Sequence, residues 1–204
     1  MRLIPILFAL LLASCAEKEP HAPLDHGSMP MVLESDAPSA GEYSIYQVES
    51  TWTNQSGSEW PLSALSGRIQ VVAMTYTSCE MSCPRIVAAM KDIQRKTNGD
   101  IGFVLLSIDP ERDNVATLAA YATKMELDES RWNLLTGAAD DVLEMAALLG
   151  VRYQKMPDGE FAHSNMITIL DETGVIVHQQ NGIATDLTAE SVAAVQQLLD
   201  ATER

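Results

Sequence analysis

Arg68-Ile69-Gln70-Val71-Val72-Ala73-Met74-Thr75-Tyr76-Thr77-Ser78-Cys79-Glu80-Met81-Ser82-Cys83-Pro84 is the stretch on which the architecture turns. Arg68 to Tyr76 is short, apolar and rich in β-branched residues, which predicts a buried strand. From Pro84 to Lys96 the pattern changes. Ile86, Met90 and Ile93 recur at helical spacing and share one face. Proline is tolerated in a first helical turn, where its missing N–H costs nothing. A buried strand therefore hands over to a helix through a polar turn that holds two cysteines. In open α/β sheets, ligands bind outside the carboxyl ends of the strands.

Working outward, Asp100 to Ile108 reads as a second strand, bounded by Asn98-Gly99 and Asp109-Pro110. Asp113 is placed to cap a helix running through Val115, Leu118, Ala119 and Ala122. Trp132 to Leu135 is a short strand, and Ala139 to Leu149 is a helix that stops at Gly150. Asn165 to Leu170 and Val175 to His178 are strands joined by the turn Asp171-Glu172-Thr173-Gly174. Leu187 to Ala201 is a closing amphipathic helix. Upstream, Tyr43 to Thr53 alternates as a strand, Asn54 to Gly57 turns, and Trp60 to Leu65 returns as a partner segment. A β-α-β unit followed by β-β-α is the thioredoxin plan. The expectation is an α/β, thioredoxin-like fold over residues 42–204, with an N-terminal β-hairpin and an inserted β-α unit.

The chain has 204 residues, 47% of them apolar, enough for a real core. Its formal net charge of −15 repels phosphate backbones and excludes a nucleic-acid surface. Met1-Arg2 is a short basic start, and Leu3 to Leu12 is an apolar run broken only by Pro5. That run suits the core of a signal peptide better than a membrane span. Leu12-Ala13-Ser14-Cys15 is similar to a bacterial lipobox, whose cysteine becomes the lipidated first residue. Residues 1–14 are thus expected to be a lipoprotein signal peptide. Residues 15–41, punctuated by Pro20, Pro23, Gly27, Pro30 and Pro38, are a lipid-anchored flexible tether. The expected location is the bacterial cell envelope, facing the periplasm or exterior. With Cys15 carrying lipid, Cys79 and Cys83 remain as a local thiol pair in an oxidising compartment.

At the amino end of a helix, unpaired N–H groups favour thiolate, the form that binds metal or attacks a disulfide. The C-x3-C spacing differs from the C-x2-C of thioredoxin-like oxidoreductases. If the segment is helical, an i, i+4 pair brings both sulfurs to one ion. Two soft thiolates select soft metals, with Cu(I) the first candidate. A closed structural zinc site would want four ligands, and there is no second cysteine pair. The third ligand must come from elsewhere. His163, in Phe161-Ala162-His163-Ser164-Asn165, lies in the loop that the thioredoxin plan packs beside the cysteine helix. His178 falls on a strand and reads as structural or exposed. In the tether, His21, His26, Met29 and Met31 form a second set of copper-compatible donors, or incidental residues of a flexible linker.

From about Glu42 onward the chain resembles the Sco/SenC family, copper chaperones linked to cytochrome c oxidase assembly. The resemblance rests on Thr75-Tyr76-Thr77-Ser78-Cys79 with Cys83-Pro84, on Ser107-Ile108-Asp109-Pro110-Glu111-Arg112-Asp113, and on His163-Ser164. It implies a thioredoxin-like head, expected to be monomeric, with Cys79, Cys83 and His163 holding one copper ion, as Cu(I) with Cu(II) as a second state. It also places Asp109, Arg112 and Asp113 near that site. The partner would be an apo copper protein such as an oxidase subunit. Many members carry an acidic residue directly before the histidine, where this chain has Ala162. The same cysteines suit an enzyme, a thiol–disulfide reductase that keeps a partner's cysteines ready for metal. A peroxiredoxin-like peroxidase fits poorly, because Thr77-Ser78-Cys79 lacks a proline-rich approach.

Overall fold

A strand buried along its whole length has no face to give to water, so it must lie inside a sheet covered on both sides. Ile69–Thr75 (β3) is such a strand. The computed structural model describes residues 43–182 and 188–202. The leader, the tether with its His and Met residues, and Leu187 lie outside that range. In chain order, β1 (Thr51–Asn54) and β2 (Glu59–Pro61) precede β3, followed by α1 (Cys83–Lys96), β4 (Ile101–Ser107) and α2 (Val115–Lys124). Then come β5 (Trp132–Gly137), α3 (Ala139–Leu148), β6 (Tyr153–Lys155), β7 (Phe161–His163), β8 (Met166–Leu170), β9 (Ile176–Asn181) and α4 (Thr188–Thr202).

Seven strands form one sheet in the order β2-β1-β5-β4-β3-β8-β9. β3 pairs parallel with β4 from Ile69↔Ile101 to Thr75↔Ser107, and antiparallel with β8. The core β4-β3-β8-β9 with its helices is a thioredoxin-like fold. The β1-β2 hairpin and the β5-α3 unit extend it on the β4 side, β5 parallel to β4 and β1 antiparallel to β5. Alternate residues of β3 serve the two faces. Val71 and Ala73 pack with Ile86, Met90 and Ile93 of α1, Leu118 of α2 and Val195 of α4. Val72 and Met74 pack on the other face with Trp52 and with Val142 and Met145 of α3.

Several expected boundaries shift. The strand expected over Tyr43 to Thr53 is confined to Thr51–Asn54. Ile45–Gln47 is a 3-10 turn started by the Ser44 hydroxyl, which accepts from the Tyr46 N–H. The return segment is a strand only over Glu59–Pro61, because Pro61 has no N–H for a ladder, and Leu62–Leu65 is again 3-10. Asp113 does not cap α2. Asn114 does, accepting from the Thr117 N–H at 3.1 Å. The β6-β7 hairpin is new. It pairs only with itself, over Tyr153↔His163 to Lys155↔Phe161, and so carries no strong apolar alternation. Among the described residues no helix is long and apolar enough to cross a membrane.

Ile93 is fully buried between α1 and the sheet, so its side chain cannot be shortened without leaving a cavity. Ile93→Ala is expected to lower unfolding stability by about 2–5 kcal/mol, read by urea denaturation. A loss below about 1 kcal/mol would contradict this packing.

Candidate metal centre

The β3 chain leaves the sheet at Thr75 and reaches α1 through Tyr76 to Ser82. The turn is held by Asp113, whose carboxylate accepts from the Thr77 N–H at 3.1 Å, from the Thr77 hydroxyl, and from the Ser107 hydroxyl at 2.6 Å. Asp113 is wholly buried. Burial raises its pKa above the ordinary carboxyl value, against the opposing pull of those donors. Its expected place beside the site is right, but it acts as a brace between two strand ends.

Cys83 is the first residue of α1, whereas Cys79 lies in the turn before it, so the pair is not the helical i, i+4 pair that the spacing suggested. The sulfurs meet because the turn folds back, and the Cys83 N–H donates to Cys79 Sγ at 3.3 Å. The two thiols differ sharply. Burial would raise the Cys79 pKa, but hydrogen bonds from the Ser82 hydroxyl, from Cys83 and from the Met81 backbone bring it down to about 6. Cys83 is pushed up, first by burial and then by the neighbouring Cys79. At neutral pH Cys79 is the thiolate and Cys83 the thiol. No disulfide joins them.

His163 ends β7. Its Nε2 lies 3.7 Å from Cys83 Sγ and 3.3 Å from Ser82 Oγ. Its Nδ1 lies 3.1 Å from the Ser164 carbonyl oxygen, which can only accept. Nδ1 therefore carries a ring proton, which fixes the ring with Nε2 turned toward the sulfurs. This orientation does not need an acid at position 162, where Ala162 is exposed.

The hairpin that brings His163 here is itself held. Tyr76, just past β3, stacks edge-on against both Phe161 and His163, with centroids 5.2 and 5.8 Å apart. Its hydroxyl donates to Glu160 at 3.0 Å. Arg112 pairs with the buried Asp109 and donates to the Gly159 carbonyl at 2.7 Å. Asp109 and Arg112 thus position the hairpin. The Arg112–Gly159 contact is not legible in the sequence, because a bond to a backbone carbonyl leaves no side-chain signature.

Donor atoms of Cys79, Cys83 and His163 all lie within 4.8 Å of one another. Cys79 and His163 border an open cavity of about 610 Å³ lined also by Tyr76, Met81 and Phe161, with Cys83 buried behind them. Two sulfurs and one imidazole nitrogen, two of the three donors facing the cavity, suit a single soft metal ion. His178, on β9, is not part of this cluster.

The SCO1/SenC family model matches residues 40–199. This chain belongs to the SCO1/SenC family. It is 31% identical to the SCO1 protein homolog of Bacillus subtilis (strain 168) over 145 residues, 68% of this chain and 75% of that protein. Its fold is similar to that of a SCO1/SenC family lipoprotein from Bacillus anthracis (TM-score 0.67, 27% identity, 73% of this chain and 92% of that one). It is also similar to BsSco, a member of the Sco family of cytochrome c oxidase assembly proteins with a disulfide switch (TM-score 0.63, 26% identity, 72% of this chain and 90% of that one).

The unlike thiols make a direct expectation. In the reduced, metal-free chain, alkylation of Cys79 should rise with pH through a midpoint near 6, because only the thiolate attacks. Cys83 should stay unmodified at neutral pH. Mass mapping of the labelled cysteine reads both. Preferential labelling of Cys83, or a midpoint at the ordinary thiol value, would contradict the assignment.

Proposed function

We propose that this SCO1/SenC protein is a copper-binding metallochaperone. It holds one copper ion on Cys79, Cys83 and His163 and passes it to a partner's empty copper site, for which the dinuclear copper centre of a terminal oxidase is the candidate. The observation that carries this reading is the meeting of two sulfurs and an oriented imidazole nitrogen within 4.8 Å, with Cys79 and His163 lining an open cavity. The donor set chooses the metal. Two thiolates and one imidazole are soft enough for Cu(I), and the third donor keeps Cu(II) within reach. Cys79 is ready to bind as it stands, whereas Cys83 must release its proton, so loading liberates a proton and weakens in acid. The oxidase as destination is supported by the assembly role stated for BsSco.

The opposed thiols favour a second reading, a thiol–disulfide reductase. The Cys79 thiolate would attack a partner disulfide and expel one partner thiolate. Cys83, once deprotonated, would then attack Cys79 Sγ, releasing the second thiolate and leaving a Cys79–Cys83 disulfide. An external dithiol would be needed to restore the pair.

Replacing either cysteine with serine should abolish tight copper binding, since a hydroxyl is a hard and rarely ionised ligand. His163→Ala separates the two readings. Copper affinity should fall at least about tenfold, while disulfide exchange with a small substrate changes little. The Cys79 pKa is measured in both proteins so that a shift in thiolate fraction is not mistaken for a lost ligand. Failure of partner assembly with thiol exchange intact supports the chaperone; normal assembly without His163 hands the role to the reductase.

We also propose that Cys15 carries a lipid that holds the head at the outer side of a bacterial membrane, in line with the lipoprotein from Bacillus anthracis. Cys15→Ala should move the protein from the membrane to the soluble fraction or block its maturation. A variant anchored like the wild type would refute the lipid site.

A further inference from the structure

We infer that the Ser82 hydroxyl is the fourth donor of this metal centre, an exchangeable oxygen used by Cu(II) and left by Cu(I). The inference rests on the copper reading above and adds a residue to it.

Ser82 stands immediately before α1, where serine ordinarily turns its oxygen to a backbone N–H of the first helical turn. Here it makes no such bond. Its backbone is already helical, with φ −88° and ψ −40°, and its carbonyl oxygen serves the helix, accepting from the Arg85 and Ile86 N–H groups at 3.0 Å. The hydroxyl instead turns into the site, 3.3 Å from Cys79 Sγ and 3.3 Å from His163 Nε2.

Those separations have a meaning. Metal–donor bonds of about 2.0–2.3 Å set neighbouring donors about 2.8–3.8 Å apart, from square-planar to tetrahedral angles. The pairs Ser82 Oγ–Cys79 Sγ, Ser82 Oγ–His163 Nε2 and Cys83 Sγ–His163 Nε2, at 3.3, 3.3 and 3.7 Å, all fall there. The hydroxyl therefore stands at a coordination vertex rather than behind a ligand.

The hydrogen-bond arithmetic agrees. The hydroxyl lies within hydrogen-bond reach of both His163 Nε2 and Cys79 Sγ. The hydroxyl has one proton for the two of them. A cation at the centre accepts both lone pairs at once and frees the hydroxyl to turn its own lone pair inward and its proton toward the cavity. A neutral oxygen is a poor ligand for Cu(I), which is content with two thiolates and an imidazole. Cu(II) is harder and prefers four donors, with oxygen and nitrogen among them.

The test uses the full chain, reduced and kept anaerobic, as wild type, Ser82→Ala and Ser82→Thr. Cu(I) affinity is read against a competing chelator; Cu(II) affinity and geometry are read by titration and electron paramagnetic resonance. Ser82→Ala removes no helix cap, so thermal unfolding should match the wild type. The expected result is about a tenfold loss of Cu(II) affinity in Ser82→Ala with a changed hyperfine pattern. Compared at a pH where Cys79 is ionised in both proteins, Cu(I) affinity should be unchanged, and Ser82→Thr should behave like the wild type. Equal Cu(II) affinity and spectra in wild type and Ser82→Ala would overturn the inference. So would an equal loss for both oxidation states, which would make Ser82 a spacer for Cys79 and His163. A wild-type chain that took up neither state would overturn the copper reading itself.

Discussion

β3 and β4 end side by side at Thr75 and Ser107, and one buried carboxylate, Asp113, ties together the chain that leaves each of them. A sheet can be held by apolar packing alone, but a turn at its edge cannot, because its backbone groups need partners. Asp113 supplies them for the turn that leads to Cys79. Its neighbours Asp109 and Arg112 do the same for the hairpin that carries His163. Three segments far apart in sequence are thereby fixed by one short acidic and basic run. The thiols and the imidazole meet because those braces leave their loops little freedom, and a site assembled before its cargo arrives loses less entropy on binding.

The same packing separates the roles of the two sulfurs. Both cysteines belong to the apolar cluster on the α3 side of the sheet, but Cys83 is sealed in it completely, where its charge would be poorly solvated. Cys79 is close enough to the turn's hydroxyl and N–H groups to stay ionised. Sequence spacing says nothing of this asymmetry, which comes from the donors the turn offers Cys79 and from the complete burial of Cys83.

Much of the frame was legible beforehand because it follows from periodicity. The apolar run of β3, interrupted only by Gln70 before Thr75, and the spacing of Ile86, Met90 and Ile93 allow little but a central strand and a packed helix. Cys79, Cys83 and their position at a strand's carboxyl end were equally plain. His163 was reachable only through the topology, since a single histidine carries no period. What escaped was short and polar. The β6-β7 hairpin has three-residue strands and no sheet neighbours, so no pattern accumulates. Asn114 and Asp113 are both good caps by composition, and only the Thr77 and Ser107 hydroxyls, met in three dimensions, draw Asp113 inward. Ser82 carries no sequence signal of its role, because its partner His163 lies 81 positions away.

Cys83 and His163 are separated by 80 residues of chain, yet they face one another across the site. An ion gripping both would act as a removable staple that closes a loop of that size, which the unfolded chain could not easily keep shut. A cargo that binds only the folded form stabilises it in proportion to its concentration. Loaded and empty heads would thus differ in lifetime among proteases as well as in content. A transport protein built this way reports through its own durability whether it is still carrying anything.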